Sequence, residues 1–364
     1  MGAMNIDTST AWGTFGRRLF LDRHLDFWLG EIDSTWSLSE TRARIVDVTA
    51  ETGDTKTFAL RPSRRWTGFA AGQYVTVEVE IDGVRKRRCY SISSAPGAGR
   101  PFTITVKRVS GGCVSTWLHE RARVGEVVTI GEAAGDFVLP EPLPAKLLFV
   151  SGGSGVTPIF SLLGELAERG CLEDVVLLHY ARTRGDVIFH DRLTALAERH
   201  PGFQLVFRFT GGAGASRYFG EETLRSVVPD FASRHTFLCG PPALMGEVDR
   251  VWERCGLTQH LRRERFVPPS PRAAVAGGAA GARVTLAESG RSFESDGRGT
   301  LLEQTERAGA SPAYGCRMGV CRTCACRKRT GTVENVLTGE VSSEPDEDVQ
   351  LCISVAHSDV ELSL

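Results

Sequence analysis

Cys316, Cys321 and Cys324 follow one another at C-x4-C-x2-C spacing, and Cys352 comes after 27 intervening residues. Three thiolates on one tight loop and a fourth from a distant segment can hold both irons of a [2Fe–2S] cluster. Such a ligand set constrains the chain strongly, because it forces the loop and the region of residue 352 together in space. Gly315 and Gly319 let the backbone curl closely, so that its amides can face the sulfurs and help set the reduction potential. The competing reading is a zinc site or a set of buried thiols. Zinc ribbons offer paired C-x2-C knuckles, and only one such pair is present. Cys326 has no place in the spacing and reads as a structural thiol. Five of the ten cysteines fall between Cys316 and Cys352. With no export signal at the start, they point to a reducing, cytoplasmic compartment.

The 364 residues are enough for two or three cores. Residues 1–40 place Trp12, Phe15, Phe20, Leu21, Leu25, Phe27 and Trp28 at spacing that suits an amphipathic helix packed across the next domain. Met1–Ala3 read as an expression remnant ahead of Met4. Residues 41–143 carry short β-rich runs separated by turns such as Asp82-Gly83 and Pro96-Gly97, which predicts an antiparallel β-barrel. Residues 144–266 alternate buried strands (Lys146–Val150, Val175–Tyr180, Phe203–Phe209, Thr236–Leu238) with helical stretches, which predicts a doubly wound parallel α/β sheet. Residues 267–282, VPPSPRAAVAGGAAGA, cannot build a core and read as a linker. Residues 283–364 form the cysteine-bearing third domain.

A net charge of −1 argues against a nucleic-acid binder. No apolar stretch approaches 18 residues, so no spanning helix is expected, which leaves peripheral membrane contact open.

Two further segments carry chemistry. Arg88-Cys89-Tyr90-Ser91-Ile92 closes a predicted barrel strand, and alternation puts Arg88 and Tyr90 on one face. A flavin needs a cation for its phosphate, a flat apolar surface for its ring and a hydrogen-bond donor near N5, and this strand can present the first two on one face. On its own the four-residue pattern is equally an ordinary strand. It gains weight from Gly111-Gly112-Cys113-Val114-Ser115, a glycine turn opening a short helix, which is a natural pyrophosphate seat. Gly152-Gly153-Ser154-Gly155-Val156-Thr157-Pro158 follows a strand and precedes a helix, so helix N-terminal amides can reach a second pyrophosphate. Its form is not G-x-G-x-x-G. Cys239-Gly240-Pro241-Pro242 follows a later strand, where core packing is the plain reading of the cysteine.

In this order the motifs resemble the ferredoxin–NADP reductase superfamily over about Thr41 to Phe266. The segment YGCRMGVCRTCAC looks like a plant-type ferredoxin, which implies a β-grasp-type domain with Cys316, Cys321, Cys324 and Cys352 as ligands. The resemblance implies that Arg88 and the Gly112–Ser115 turn (with Cys113 and Val114) grip the flavin phosphates. It places Tyr90, Ser91 and Ile92 at the flavin ring. Gly153, Thr157, Pro158, Gly240 and Pro241 are assigned to the nicotinamide nucleotide, and Cys239 lies near the hydride path. Tyr90, Ser91 and Cys239 are thus the expected catalytic residues. Arg182, Arg184 and Arg217 lie where family members bind a 2′-phosphate, which favours NADPH and keeps NADH as the alternative. The phthalate-dioxygenase-reductase branch shares this domain order and uses FMN, but the G-G-x-V-S turn looks more like FAD-binding members, so FAD is expected.

A hydride carries two electrons together and the cluster accepts one at a time, and a flavin mediates between them. Plant-type clusters sit near about −400 mV. The expected route is NAD(P)H to FAD to [2Fe–2S] to a separate acceptor: a desaturase, a Rieske or diiron oxygenase, or a cytochrome P450. No terminal oxidase motif is present in the chain. A redox sensor acting through a regulatory partner, and a ferric or oxygen reductase acting at the flavin, are the competing functions. Arg317, Arg322, Arg327, Lys328 and Arg329 suggest a basic surface that docks an acidic patch on the acceptor.

Overall fold

β-Branched and aromatic residues, broken by turn residues, build the first sheet. β1 (Thr41–Thr52), β2 (Thr55–Pro62), β3 (Tyr74–Ile81), β4 (Val84–Ser91), β5 (Phe102–Lys107) and β6 (Val127–Ile130) pair antiparallel in the order β4-β3-β6-β1-β2-β5. Asp82 and Gly83 have φ of 51° and 74°, the left-handed pair that a two-residue hairpin needs between β3 and β4. The sheet closes where Ile92, just past β4, bridges Ile104 of β5. Ile45, Phe58, Val75, Val77 and Ile104 fill the interior, and α1 (Cys113–Glu120) adds Val114 and Leu118 to it.

The computed structural model describes residues 28–29, 31–211, 218–266, 278–315, 317, 319 and 322–364. Of the expected N-terminal helix, residues 1–27 and 30 lie outside these. Residues 28–29 and 31–32 are helical, and the chain then runs to β1 with Asp33 paired to Arg44 at 2.7 Å.

The second sheet is parallel, in the order β11-β10-β7-β8-β9, from β7 (Leu147–Gly152), β8 (Val175–Ala181), β9 (Phe203–Phe209), β10 (His235–Cys239) and β11 (Leu261–Glu264). Leu147 and Phe149 face the core under α2 (Val156–Glu168) and α3 (His190–Arg199). Leu148 and Val150 face the opposite core under α4 (Glu221–Val227) and α5 (Pro242–Arg254). Burial on both faces explains why these strands read as unbroken apolar runs. β11 was not expected from its sequence: Leu-Arg-Arg-Glu has one apolar residue, and it forms as an edge strand on β10. From β7 the chain winds outward to β9, then crosses to β10 on the other side of β7. That reversal opens a crevice at the strand ends, where α/β sheets bind ligands.

The barrel and this sheet share packing. Ala71 and Phe137 join the core under α2, and Ser161 Oγ donates to the Ser94 carbonyl at 2.6 Å.

The third unit has a mixed sheet, β13-β12-β19-β14-β17, and a small antiparallel one, β16-β15-β18. Its elements are β12 (Arg283–Leu286), β13 (Arg291–Glu294), α6 (Leu301–Arg307), β14 (Ala325–Thr330), β15 (Val333–Asn335), β16 (Val341–Ser342), β17 (Glu347–Gln350), β18 (Ser354–Ala356) and β19 (Val360–Leu362). Thr300 and Glu303 form a reciprocal capping box on α6. Residues 278–282, expected in the linker, belong instead to this unit. Ala282 is buried, and Ala279 N–H donates to the Ala356 carbonyl at 2.9 Å, because residues this small let the backbone pair closely. Residues 267–277 lie outside the described residues.

Candidate redox site

β4 and the turn before α1 meet at one end of the barrel. Val77 and Val75 of β3 pair with Arg88 and Tyr90, so both β4 side chains leave the same face. Tyr90 packs half-buried against the barrel core, and burial pushes its phenol well above the usual range, so it stays a protonated donor at neutral pH. Ser91 is buried and its Oγ has no hydrogen-bond partner among the described residues. Such an orphan hydroxyl suits a site that a polar ligand atom completes.

Gly112 is the N-cap of α1 and no side chain caps the helix there. A Cβ at Gly112 would lie 2.7 Å from Ser115 Oγ, so a side chain there would displace the hydroxyl that braces the turn. Ser115 Oγ accepts the Val109 N–H at 3.2 Å and braces the turn. These features fit a flavin and its phosphates.

Two residues differ from expectation. Ile92 is fully buried in the barrel core and its N–H is taken by the Gln73 carbonyl, so it serves closure of the sheet and its side chain does not face a ligand. Val114 is likewise a core residue, and only its backbone can border the turn.

At the crevice of the second sheet the two glycine loops interlock. A Cβ at Gly155 would come within 2.1 Å of the Cys239 carbonyl oxygen, and one at Gly152 within 2.8 Å of Pro241 Cδ. Gly240 lies equally close to Gly152, 3.0 Å from Cβ to amide nitrogen. Gly153 takes φ of 53° just before α2. Thr157 Oγ1 donates to the Ser154 carbonyl at 2.9 Å and holds the loop shape, while Pro158 is buried in the first helical turn, where a missing N–H costs nothing.

Beside these loops is a cleft of about 550 Å³ lined by Gly152, Gly153, Pro241, Tyr180, Arg182 and, from the barrel, Lys107. The Tyr180 hydroxyl at its wall is buried without a partner among the described residues, which fits a bound nucleotide. Arg182 approaches Asp186 at 3.4 Å. Arg184 is exposed, begins a short 3-10 turn and does not line the cleft. Arg217 lies outside the described residues, although its neighbour Tyr218 lines the cleft.

The Cys239 thiol is fully buried in the core under α2, and burial, then Glu264, raises its pKa well above the usual value. Its side chain therefore packs as the plain reading had it, and its carbonyl is what meets the loop. Glu264 is the register partner of Cys239 on β11. Burial, with the Asp136 carboxylate adding to it, pushes the Glu264 carboxyl up to about 8. Sequence reasoning missed Glu264 and Lys107. The first sits on a strand with no hydrophobic signature, and the second belongs to the other domain.

Cys324 and Cys352 are buried in the third unit, while Cys316 and Cys321 lie outside the described residues. The two cysteine segments are tied together. Leu351 N–H donates to the Cys324 carbonyl at 3.2 Å, Gln350 Nε2 to the Gly319 carbonyl at 2.8 Å, and Gly319 N–H to Cys352 Sγ at 3.2 Å. Arg317, Gly319 and Arg322 all have positive φ (58°, 77° and 54°), so the loop turns sharply three times. An amide aimed at a cysteine sulfur fits thiolate ligands of an iron–sulfur cluster. Cys326 is half-buried on β14, its pKa pushed up to about 12 by burial and by Cys324.

Most of the basic residues expected to form a docking surface are paired or buried here. Arg317 forks onto Glu306 at 2.5 and 3.0 Å, Arg327 pairs with Asp348 and Arg329 with Glu361. Lys328 is fully buried, and Arg322 lines a crevice against barrel residues Glu78 and Arg87.

Three family models match in order: an oxidoreductase FAD-binding domain at residues 42–138, an oxidoreductase NAD-binding domain at 149–250, and a 2Fe-2S iron-sulfur cluster binding domain at 284–357. The chain is 37% identical over 343 residues to NADPH oxidoreductase of Mycobacterium tuberculosis, covering 93% of this chain and 88% of that protein. It belongs to the ferredoxin–NADP reductase superfamily. The reductase is also 33% identical to the glycine betaine monooxygenase reductase subunit of Chromohalobacter salexigens, covering 90% of this chain and 96% of that one. Its fold is similar to that of phthalate dioxygenase reductase, with a TM-score of 0.61 at 24% identity, covering 89% of this chain and 97% of that one. The reductase is an NAD(P)H-dependent oxidoreductase with FAD and a [2Fe–2S] cluster as cofactors. Among the described residues no helix is long and apolar enough to cross a membrane.

Proposed function

We propose that the reductase is the electron-supplying component of a two-protein oxygenase system, drawing on NADPH and working in the cytoplasm. Residues 41–143 hold the flavin, 144–266 the nucleotide and 283–364 the cluster. The observation that carries the reading is the meeting of two sites: Arg88 Nη1 on the flavin strand donates to the carbonyl of Gly315, the residue before Cys316, at 3.3 Å. A cluster loop seated on the flavin strand suits electron passage between the two. Bound FAD supplies the change from paired to single electrons.

The chain's own residues do the rest. Arg88 and the Gly112–Ser115 turn hold phosphate, Tyr90 covers the ring, and Ser91 offers its unpartnered hydroxyl. Gly153, Gly155, Gly240 and Pro241 shape the nucleotide seat, with Arg182, Lys107 and Arg217 as its cations. Cys239 keeps Gly155 in place through its strand end, and Glu264 can hold a proton at neutral pH. Cys316, Cys321, Cys324 and Cys352 ligate the cluster. NADPH is preferred over NADH on these cations and on the likeness to a protein named NADPH oxidoreductase. A separate oxygenase as acceptor is supported by likeness to a monooxygenase reductase subunit.

The test is anaerobic titration with NADPH, followed by absorbance and electron paramagnetic resonance, on wild type and Cys324→Ser. We expect flavin and cluster both to bleach in wild type. In the variant only flavin should respond, with cytochrome c reduction falling at least about tenfold. Undiminished cytochrome c reduction without a cluster would move delivery to the flavin and overturn the reading.

A further inference from the structure

The β15–β16 hairpin leans on the cluster loop. A Cβ built at Gly319 would lie 3.2 Å from Leu337 Cδ1, so the hairpin tip touches the loop between the cysteines. Leu337 is nevertheless 41% exposed, and Val341 on the same hairpin 56%. Asn335 Oδ1 accepts the N–H groups of Leu337 and Thr338 at 2.9 and 3.4 Å, which fixes the tip in this outward form.

Glu340 precedes Val341 in the chain, and Glu344 and Asp346 follow shortly after it, all exposed. Among the described residues none of the three has an ion-pair partner. Three cations of β14 are engaged elsewhere, Arg327 on Asp348, Lys328 on Glu347 and Arg329 on Glu361. The barrel meets the loop through different residues. The crevices there are lined by Pro312–Tyr314, Arg322 and Thr323, and by no residue of the hairpin.

We propose that this hairpin face is the docking surface for the separate electron acceptor, and that the acceptor presents an apolar patch ringed by lysine and arginine. The inference rests on the reading that the cluster delivers to another protein. It reverses the charge sign that the loop arginines suggested. An apolar centre excludes water close to the cluster, and an unneutralised acidic rim steers a basic partner. The contact leaves the barrel side untouched, so one cluster can be filled from the flavin and emptied at the hairpin.

The full holoprotein carrying Glu340→Lys and Glu344→Lys is compared with wild type, using NADPH and mitochondrial cytochrome c, a strongly basic haem protein, as the probe. At about 10 mM ionic strength the rate should fall at least about fivefold, and the difference should shrink below about twofold near 500 mM. Leu337→Asp should lower the rate at both. Anaerobic bleaching of flavin and cluster by NADPH should keep its wild-type rate in all variants. A charge-reversed protein that reduces cytochrome c as fast as wild type, or equally slower at both salts, overturns the docking face. Wild-type clusters that fail to bleach would instead overturn the underlying function.

Discussion

Arg88 and Gly315 are 227 residues apart in the chain and 3.3 Å apart in space, guanidinium nitrogen to carbonyl oxygen. The same guanidinium donates to the Arg87 carbonyl at 2.7 Å. One side chain thus borders the proposed phosphate seat and anchors the loop that begins the cysteine run. Charged hydrogen bonds of this kind contribute about 1.5–3 kcal/mol each.

Replacing Arg88 by methionine should therefore weaken flavin retention by roughly 10- to 100-fold. Flavin released on gel filtration measures it. Arg88→Lys keeps the charge and loses the fork, so it should retain more flavin yet slow cluster reduction in stopped-flow. Equal flavin content and equal cluster reduction in both variants would remove Arg88 from either role.

Gly155→Ala drives a methyl into the Cys239 carbonyl, where 2.1 Å is available. The backbone of two loops must move apart, and we expect a loss of about 3 kcal/mol or more in stability. The KM for NADPH should rise with it. Gly153→Ala meets open space but must hold φ of 53°, which costs about 1–2 kcal/mol. Thermal melts of the two variants should rank in that order.

Lys328 is a charge with no exposed surface. Its Nζ donates to the carbonyls of Gly331 (2.8 Å) and Ser342 (3.3 Å) and pairs with Glu347 at 2.8 Å. Lys328→Ala leaves these acceptors unmet and a void behind them, at a cost of about 3–5 kcal/mol. Lys328→Met fills the space and should lose less. Loss of the visible cluster band on heating reads the effect. The Lys328 bond holds the Glu347 carboxyl below the ordinary glutamate value of about 4.5. Its contribution is full above 4.5 and disappears as pH falls through the lowered folded value.

Glu264 has the opposite sign. Its folded pKa, about 8, lies above the ordinary glutamate value of about 4.5, so the folded protein binds more protons between these values. Stability should decline as pH rises from about 4.5 to about 8 and then level off. Glu264→Gln removes the ionisation, and its melting temperature should fall less than that of wild type over that window. Parallel curves for the two proteins would show that Glu264 titrates as an ordinary carboxylate.

Local signals were legible because local geometry produces them. The Asp82-Gly83 turn, the glycine loop at 152–155 and the Gly111-Gly112 turn depend on a few residues' backbone freedom, and each lies where its sequence placed it. The unbroken apolar runs of β7 and β8 followed from burial on two faces. β11 escaped because an edge strand needs only a neighbour's free backbone, which Leu-Arg-Arg-Glu does not announce. The loop arginines show a related limit: a charge in sequence looks free until its partner, such as Glu306 for Arg317, is brought to it.

The order of flavin, nucleotide and cluster motifs, and the identity of the cysteines, belonged to the sequence alone, since spacing along the chain sets which groups one loop can present. Folding decided the rest. It sent the Cys239 thiol into the core, set Glu264 beside it, and carried Gly315 to Arg88. It also left Glu340 and Glu344 as exposed carboxylates with no ion pair among the described residues, and Leu337 partly exposed. Burial and charge pairing depend on which distant segments meet, and no local pattern carries that information.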